Sequence, residues 1–190
     1  LASCSALARE IIRLLKKPRS RIEVALAPPF TALQSVAAVT RGSNVKLAAQ
    51  NCHWAENGAF TGEISAPMLG ELGCQYIIIG HSERRHLFNE STEMIARKTA
   101  AVLDHGLRPI LCVGETLNER QGDQTLNVVT SQLDGALKGL AKGVIEHLEI
   151  AYEPVWAIGT GQNATAEQID QGHHSIRSYL QNGMGHSTGD

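Results

Sequence analysis

Apolar positions along the chain change period at regular intervals, and each change marks an element. Residues Ser5 to Lys17 carry Leu7, Ile11, Leu14 and Leu15 at helical spacing, with Lys16 and Lys17 suited to a last turn and Pro18 as a stop. Ile22 to Ala27 reads as a strand closed by Pro28-Pro29, and Thr31 is placed to cap a helix running to about Val39. Val45 to Gln50 is a second strand. A polar, glycine-bearing loop, Asn51 to Ser65, follows it, then a short helix, Ala66 to Leu72, ending at Gly73. Gln75 to Gly80 is β-branched, apolar and too short for a helix, the pattern of a strand buried on both faces in a parallel sheet.

Ser91 opens a helix over Glu93 to Asp104, ended by Gly106, and Arg108 to Val113 is the next strand. Asp123 to Leu140 reads as one helix with Leu126, Val129, Leu133, Leu137 and Leu140 on a face. Leu148 to Tyr152 is a strand, and Thr165 with Gln168 forms a capping box for a helix through Leu180. Residues 182–190 read as a polar loop tail. Strands beginning near residues 22, 45, 75, 108 and 148, with helices between, predict an α/β fold with a parallel sheet and right-handed crossovers. The pattern fits an open doubly wound sheet as well as part of a closed barrel. Five strands by themselves favour the open form.

Composition narrows the class. At 190 residues, and about 150 per domain, one domain over residues 1–190 is expected, with no internal shift of composition or linker to divide it. The apolar share of 43% and charged share of 19% are those of a globular chain. A net charge of −2 and 4% aromatic residues argue against a nucleic-acid surface. No apolar run is long enough to span a membrane, and Leu1 to Glu10 lacks a signal-peptide pattern, so a cytoplasmic location is expected. Cys4, Cys52, Cys74 and Cys112 show no Cys-x-x-Cys spacing and read as thiols. Neither a metal site nor a cofactor is expected.

In parallel α/β folds the chemistry lies at the carboxyl ends of the strands. Glu153 follows the strand ending at Tyr152. Burial there would favour its protonated form and suit a general base or acid, although the residue alone is better read as a rim ion pair. His81 follows the strand ending at Ile79, where a helical turn begins. The N–H groups of that turn disfavour a charged ring and leave a neutral donor. A core histidine bonded to backbone is the plainer reading. Glu83, Arg84 and Arg85 beside it can equally form a rim salt-bridge network. Both His81 and Glu153 on one rim shifts the balance to chemistry, because a base and a neutral electrophile are what proton abstraction beside a carbonyl requires. After Glu153, Pro154 and Trp156 stiffen one end of a loop whose tip holds Gly159 and Gly161. That is the composition of a lid, or of an ordinary βα loop. Cys112 within an apolar strand reads as a packed thiol.

Six stretches together resemble the triosephosphate isomerase family: Ala27-Pro-Pro-Phe30, Ala49-Gln-Asn51, Glu56 to Ser65, Ile79 to Arg85, Cys112 to Arg120 and Ala151 to Gly161. They keep the family's order over about residues 5 to 181. The resemblance implies a TIM-barrel type fold reduced to about five βα units. It also implies that Glu153 is the base moving a proton between C1 and C2 of a triose phosphate and that His81 polarises the carbonyl, roles long assigned in this family. By the same resemblance Glu83 tunes the site, Cys112 supports Glu153 and Asn51 is a supporting residue. Residues Pro154 to Ala164, including Trp156, Ile158, Gly159 and Gly161, form the lid, with the Gly159 N–H on the phosphate. Phe60 and Thr61 belong to a loop that docks into the partner of a homodimer.

The family's Asn-x-Lys strand has no match before residue 20, and Gly183 to Gly189 matches none of its glycine-rich phosphate strands. These departures predict open sheet edges covered by terminal segments refolded as strands, or by a partner chain. They also predict very slow turnover, since one lost preorganised donor costs about 10²–10³ in rate. The alternative is a binding module that keeps the motifs without the catalysis.

Overall fold

The computed structural model describes residues 2–15 and 22–184. In chain order the elements are α1 (Ala2–Leu14), β1 (Val24–Leu26), α2 (Leu33–Thr40), β2 (Val45–Ala49), α3 (Ala66–Glu71), β3 (Cys74–Ile79), α4 (Ser82–Leu87), α5 (Thr92–Asp104), β4 (Arg108–Val113), α6 (Leu117–Gln121), α7 (Thr125–Leu137), α8 (Lys142–Ile145), β5 (Glu149–Tyr152) and α9 (Ala166–Met184). The strands are parallel, as the alternation of strand and helix predicts. Chain contacts gather into two compact units.

The first unit comprises Leu1–Ile79 and Ala100–Pro109. Its strands pair in the order β1, β2, β3, in register from Val24 opposite Val45, with an irregularity in the second pairing between Leu47 and Ala48. β3 buries Cys74, Tyr76, Ile77 and Ile79, so side chains of both faces are covered, and only Gln75 near its start is exposed. Helices α2 and α3 contribute Leu33, Val36 and Leu69 to the same core. At the start of the strands, Arg108 donates to the Tyr76 hydroxyl at 2.9 Å. That hydroxyl donates in turn to Glu23, an ion pair and aromatic cluster beneath the apolar layer.

The second unit comprises Gly80–Thr99 and Ile110–Asp190. β4 pairs β5 from Ile110 opposite Glu149 to Val113 opposite Tyr152. Ile95, Leu111, Val113, Val129, Leu133 and Leu137 are buried there, and α7 packs on α9.

Five details differ from the expectations. In α1 the buried residues are Ser5 and Ala8, while Leu7 and Leu14 are exposed. The helix packs on α2 through small side chains, and the leucine stripe falls to one side. Thr31 caps nothing: it lies inside a 3-10 turn, Phe30–Ala32, and α2 starts after Ala32 with no side-chain cap. The single helix expected over 123–140 is α7 alone, preceded by the separate α6, whose Thr116–Glu119 capping box starts a helix the apolar pattern did not mark. Leu126, in the first turn of α7, is exposed. The described part of each terminal segment is helical, α1 and α9, and neither adds a strand. α9 runs to Met184, into the expected tail, whose last six residues lie outside the described residues, as do Lys16, Lys17 and Pro18.

Candidate active site

β3 leads into a turn that only glycine makes comfortably. Gly80 has φ of +70°, and a Cβ there would stand 2.9 Å from an Arg85 guanidinium nitrogen and 3.3 Å from Ile95. The turn delivers His81 to the N-cap of α4. The His81 Nδ1 accepts the Glu83 backbone N–H at 3.4 Å, and its carbonyl accepts from Arg84 and Arg85 at 2.9 and 3.1 Å. With Nδ1 used as an acceptor, the ring of a neutral imidazole holds its proton at Nε2. That nitrogen faces the Glu153 Oε1 at 2.8 Å. The other carboxylate oxygen of Glu153 accepts the Ser82 N–H at 3.0 Å. Three successive residues after β3 thus supply a turn, a ring donor and a backbone donor to one carboxylate.

Glu153 comes off β5 onto a backbone template at the end of β4. Its N–H donates to the Val113 carbonyl at 2.8 Å, and the Val155 N–H donates to the Glu115 carbonyl at 3.1 Å. The Glu153 side chain is 16% exposed and the His81 side chain 32%, so the pair is open to a small molecule without being solvated all round. Cys112 is buried behind it. Burial first, then the negative charge of Glu153, pushes its thiol from an ordinary 9.0 up to about 12, which makes it a packing group and not a nucleophile. Arg85 bridges two main-chain carbonyls, donating from Nε to Gly80 at 2.7 Å and from Nη2 to Cys112 at 2.9 Å. Glu83 is exposed. Its carboxylate stands 3.8 Å from His81 Nδ1, and its backbone N–H, not its charge, makes the hydrogen bond.

The segment after Glu153 has an anchored base and an exposed tip. From Pro154 the chain enters a 3-10 turn, Val155–Ala157, that buries Trp156. The indole Nε1 donates to Glu115 at 3.0 Å, and the Arg120 guanidinium lies 4.9 Å from the ring centroid. Glu115 is fully buried, yet fully partnered. Arg120 reaches it at 3.0 Å and the Tyr152 hydroxyl donates to both its oxygens at 3.0 Å. Beyond the anchor Ile158 is 44% exposed, and Gly159, Thr160 and Gly161 are exposed, with the Thr160 hydroxyl folded back onto the Trp156 carbonyl at 2.7 Å.

The second unit therefore gathers His81, Glu83, Cys112, Glu153, Pro154, Trp156, Ile158, Gly159 and Gly161. Asn51, Phe60 and Thr61 belong to the first unit. Asn51 is buried directly after β2. In the loop that follows, the His53 ring packs on Trp54 and on Phe60, with centroids 4.1 and 4.4 Å apart. Phe60 remains 45% exposed and Thr61 is exposed. Glu115 and Ser82 are not among the residues singled out from the sequence, and Arg85, expected there in a rim salt-bridge network, donates instead to two main-chain carbonyls. For Glu115 a signal existed, since it stands just past β4 as Glu153 stands just past β5. None of the four cysteines forms a disulfide. Among the described residues no cluster of three His, Cys, Asp or Glu could hold a metal ion, and no helix is long and apolar enough to cross a membrane.

Comparison with known proteins agrees with the motifs. The family model described as triosephosphate isomerase matches residues 1–189. A triosephosphate isomerase of Aquifex aeolicus is 50% identical over 169 residues, 89% of this chain and 68% of the relative. Those of Geotalea uraniireducens and Caldanaerobacter subterraneus are 47% and 48% identical over 174 residues, 92% of this chain and 69% of each relative. The α/β fold is therefore of TIM-barrel type, and the chain belongs to the triosephosphate isomerase family.

Proposed function

We propose that this protein interconverts dihydroxyacetone phosphate and D-glyceraldehyde 3-phosphate by proton transfer through an enediolate. Glu153 removes the proton from the carbon beside the carbonyl, and His81 Nε2–H donates to the carbonyl oxygen as negative charge develops there. The hydroxyl proton passes between the two enediolate oxygens, and the protonated Glu153 returns its proton to the neighbouring carbon. The reaction needs no redox partner and no cofactor, and belongs to glycolysis and gluconeogenesis. The observation that carries the reading is the 2.8 Å contact between the imidazole Nε2 and the Glu153 carboxylate, with Nδ1 tied to backbone. A substrate carbonyl that replaces that carboxylate oxygen receives a neutral donor already aimed at it.

The exposed tip from Ile158 to Gly161 closes over the substrate as a lid, with the Gly159 N–H on the phosphate, while Trp156 pivots at its base. Cys112 backs Glu153, and Glu83 supports the site. The loop bearing Phe60 and Thr61 docks into a second copy of the chain, a role supported by a large apolar ring left 45% exposed on a loop whose base is buried. Residues 1–190 act as one domain in the cytoplasm.

Isothermal titration with a phosphorylated hydroxamate mimic of the enediolate tests the reading. Binding is expected in the intact chain and is expected to vanish in Glu153→Gln and in His81→Ala. Equal binding by all three would overturn it.

A further inference from the structure

One polar side chain in the middle of α7 is committed to the main chain of a single residue. The Gln132 Oε1 accepts the Gly114 N–H at 2.9 Å, and its Nε2 donates to the Gly114 carbonyl at 3.0 Å. A planar carboxamide thereby satisfies both main-chain groups of one residue, as a neighbouring strand would. The β4–β5 ladder ends one residue earlier, at Val113 opposite Tyr152. Without Gln132 both groups of the buried Gly114 would be left without these partners, which is costly.

The site of this clamp matters more than its strength. Gly114 lies between the two carbonyls, Val113 and Glu115, that accept from Glu153 and Val155. It also touches the Glu153 backbone directly. A Cβ on Gly114 would stand 1.7 Å from the Glu153 carbonyl oxygen and 2.6 Å from its carbon, so no side chain separates the two main chains. A rotation of the Gly114 peptide would push the Glu153 backbone, and with it the carboxylate that meets His81 Nε2.

We infer that Gln132 is a positioning residue for Glu153, acting through the Gly114 peptide. It sets where the carboxylate sits relative to the imidazole. That Glu153 is the catalytic base rests on the function proposed above; that Gln132 fixes its place does not. The rival role, a tether joining α7 to the strand layer, predicts a loss of stability with no change at the imidazole.

The test follows the imidazole nitrogens of His81 by NMR in the full 190-residue chain, comparing wild type with Gln132→Leu, Gln132→Glu and Glu153→Ala. Gln132→Leu removes both bonds at nearly constant volume. It is expected to move the His81 Nε2 resonance towards its position in Glu153→Ala. Gln132→Glu keeps the acceptor for the Gly114 N–H and is expected to move it less. It also carries the test if the leucine variant does not fold. Turnover is expected to fall by about tenfold to a hundredfold with KM nearly unchanged, as a small misplacement of a reacting group does. A lowered Tm in either folded variant with the Nε2 resonance unmoved would overturn the inference. A wild-type chain that neither binds the enediolate mimic nor isomerises, while its Nε2 resonance still responds to Gln132→Glu, would remove the isomerase reading and leave the positioning role standing.

Discussion

The exits of β4 and β5 each present a glutamate within two residues of the strand end, yet the two acids live in different surroundings. Glu115 is fully buried and receives hydrogen bonds from Arg120, Tyr152 and Trp156. Glu153 is partly open and held by one backbone N–H and one imidazole. A carboxylate whose lone pairs are taken by three fixed donors, one of them a cation, is an anchor. One held by a neutral ring and an amide can exchange those partners for a substrate. What separates a structural acid from a reactive one is thus the mobility and charge of its donors, more than its place in the strand pattern.

That contrast breaks most sharply by substitution. Glu153→Gln is expected to lower turnover by about 10²–10⁴-fold while leaving Tm within a degree or two of wild type, read by coupled assay and calorimetry. Glu115→Ala should do the reverse in kind. Removing one partner of a buried ion pair costs about 3–5 kcal/mol, visible as a lower urea midpoint. An unchanged midpoint would show that Arg120 and Tyr152 find other partners. Trp156→Phe keeps an aromatic ring, though a smaller one, and loses the Nε1 bond to a charged acceptor, worth about 1.5–3 kcal/mol; it is expected to raise protease cleavage between Ile158 and Gly161.

The alkaline limb of stability sharpens the comparison further. Burial raises the Cys112 thiol from 9.0 to about 12 and the Cys74 thiol from 9.0 to about 11. The folded state therefore keeps protons that the unfolded chain releases above pH 9. Stability from each thiol is complete below that pH and falls by about 1.4 kcal/mol per pH unit until the folded value is passed. Denaturant melts between pH 8 and 11 check the slope, and a flat profile would refute it. Smallest of the effects is Thr116→Ala, which opens the capping box of α6 at a cost of about 1 kcal/mol.

How far these features were legible follows from the kind of signal each one leaves. The strand runs were plain because Tyr76 to Ile79 and Leu111 to Val113 are apolar, β-branched or both, over lengths a helix does not favour. The candidate pair was visible because His81 and Glu153 each follow such a run. Glu115 has the same placement, but its role depends on Arg120, Tyr152 and Trp156, which meet only in three dimensions. Gln132 left no trace, since a polar residue on a half-buried helix face looks like any other. The buried face of α1 departs from its leucine stripe because Ser5 and Ala8 carry little hydrophobic signal. Small residues that let helices approach lose to leucines in any count of apolar spacing.

The buried knot at Glu90 sets the order in which the site would come apart. Arg84 reaches Glu90 at 2.8 Å, and Lys98 pairs with its other oxygen. α4 has only six residues, and its Leu87, with Phe88 after it, faces solvent. So brief a helix has little cohesion of its own. The ring of His81 is thus moored by charge, whereas the base opposite is seated in main chain. Under mild denaturant the imidazole should drift first, leaving Glu153 in place with nothing to aim at.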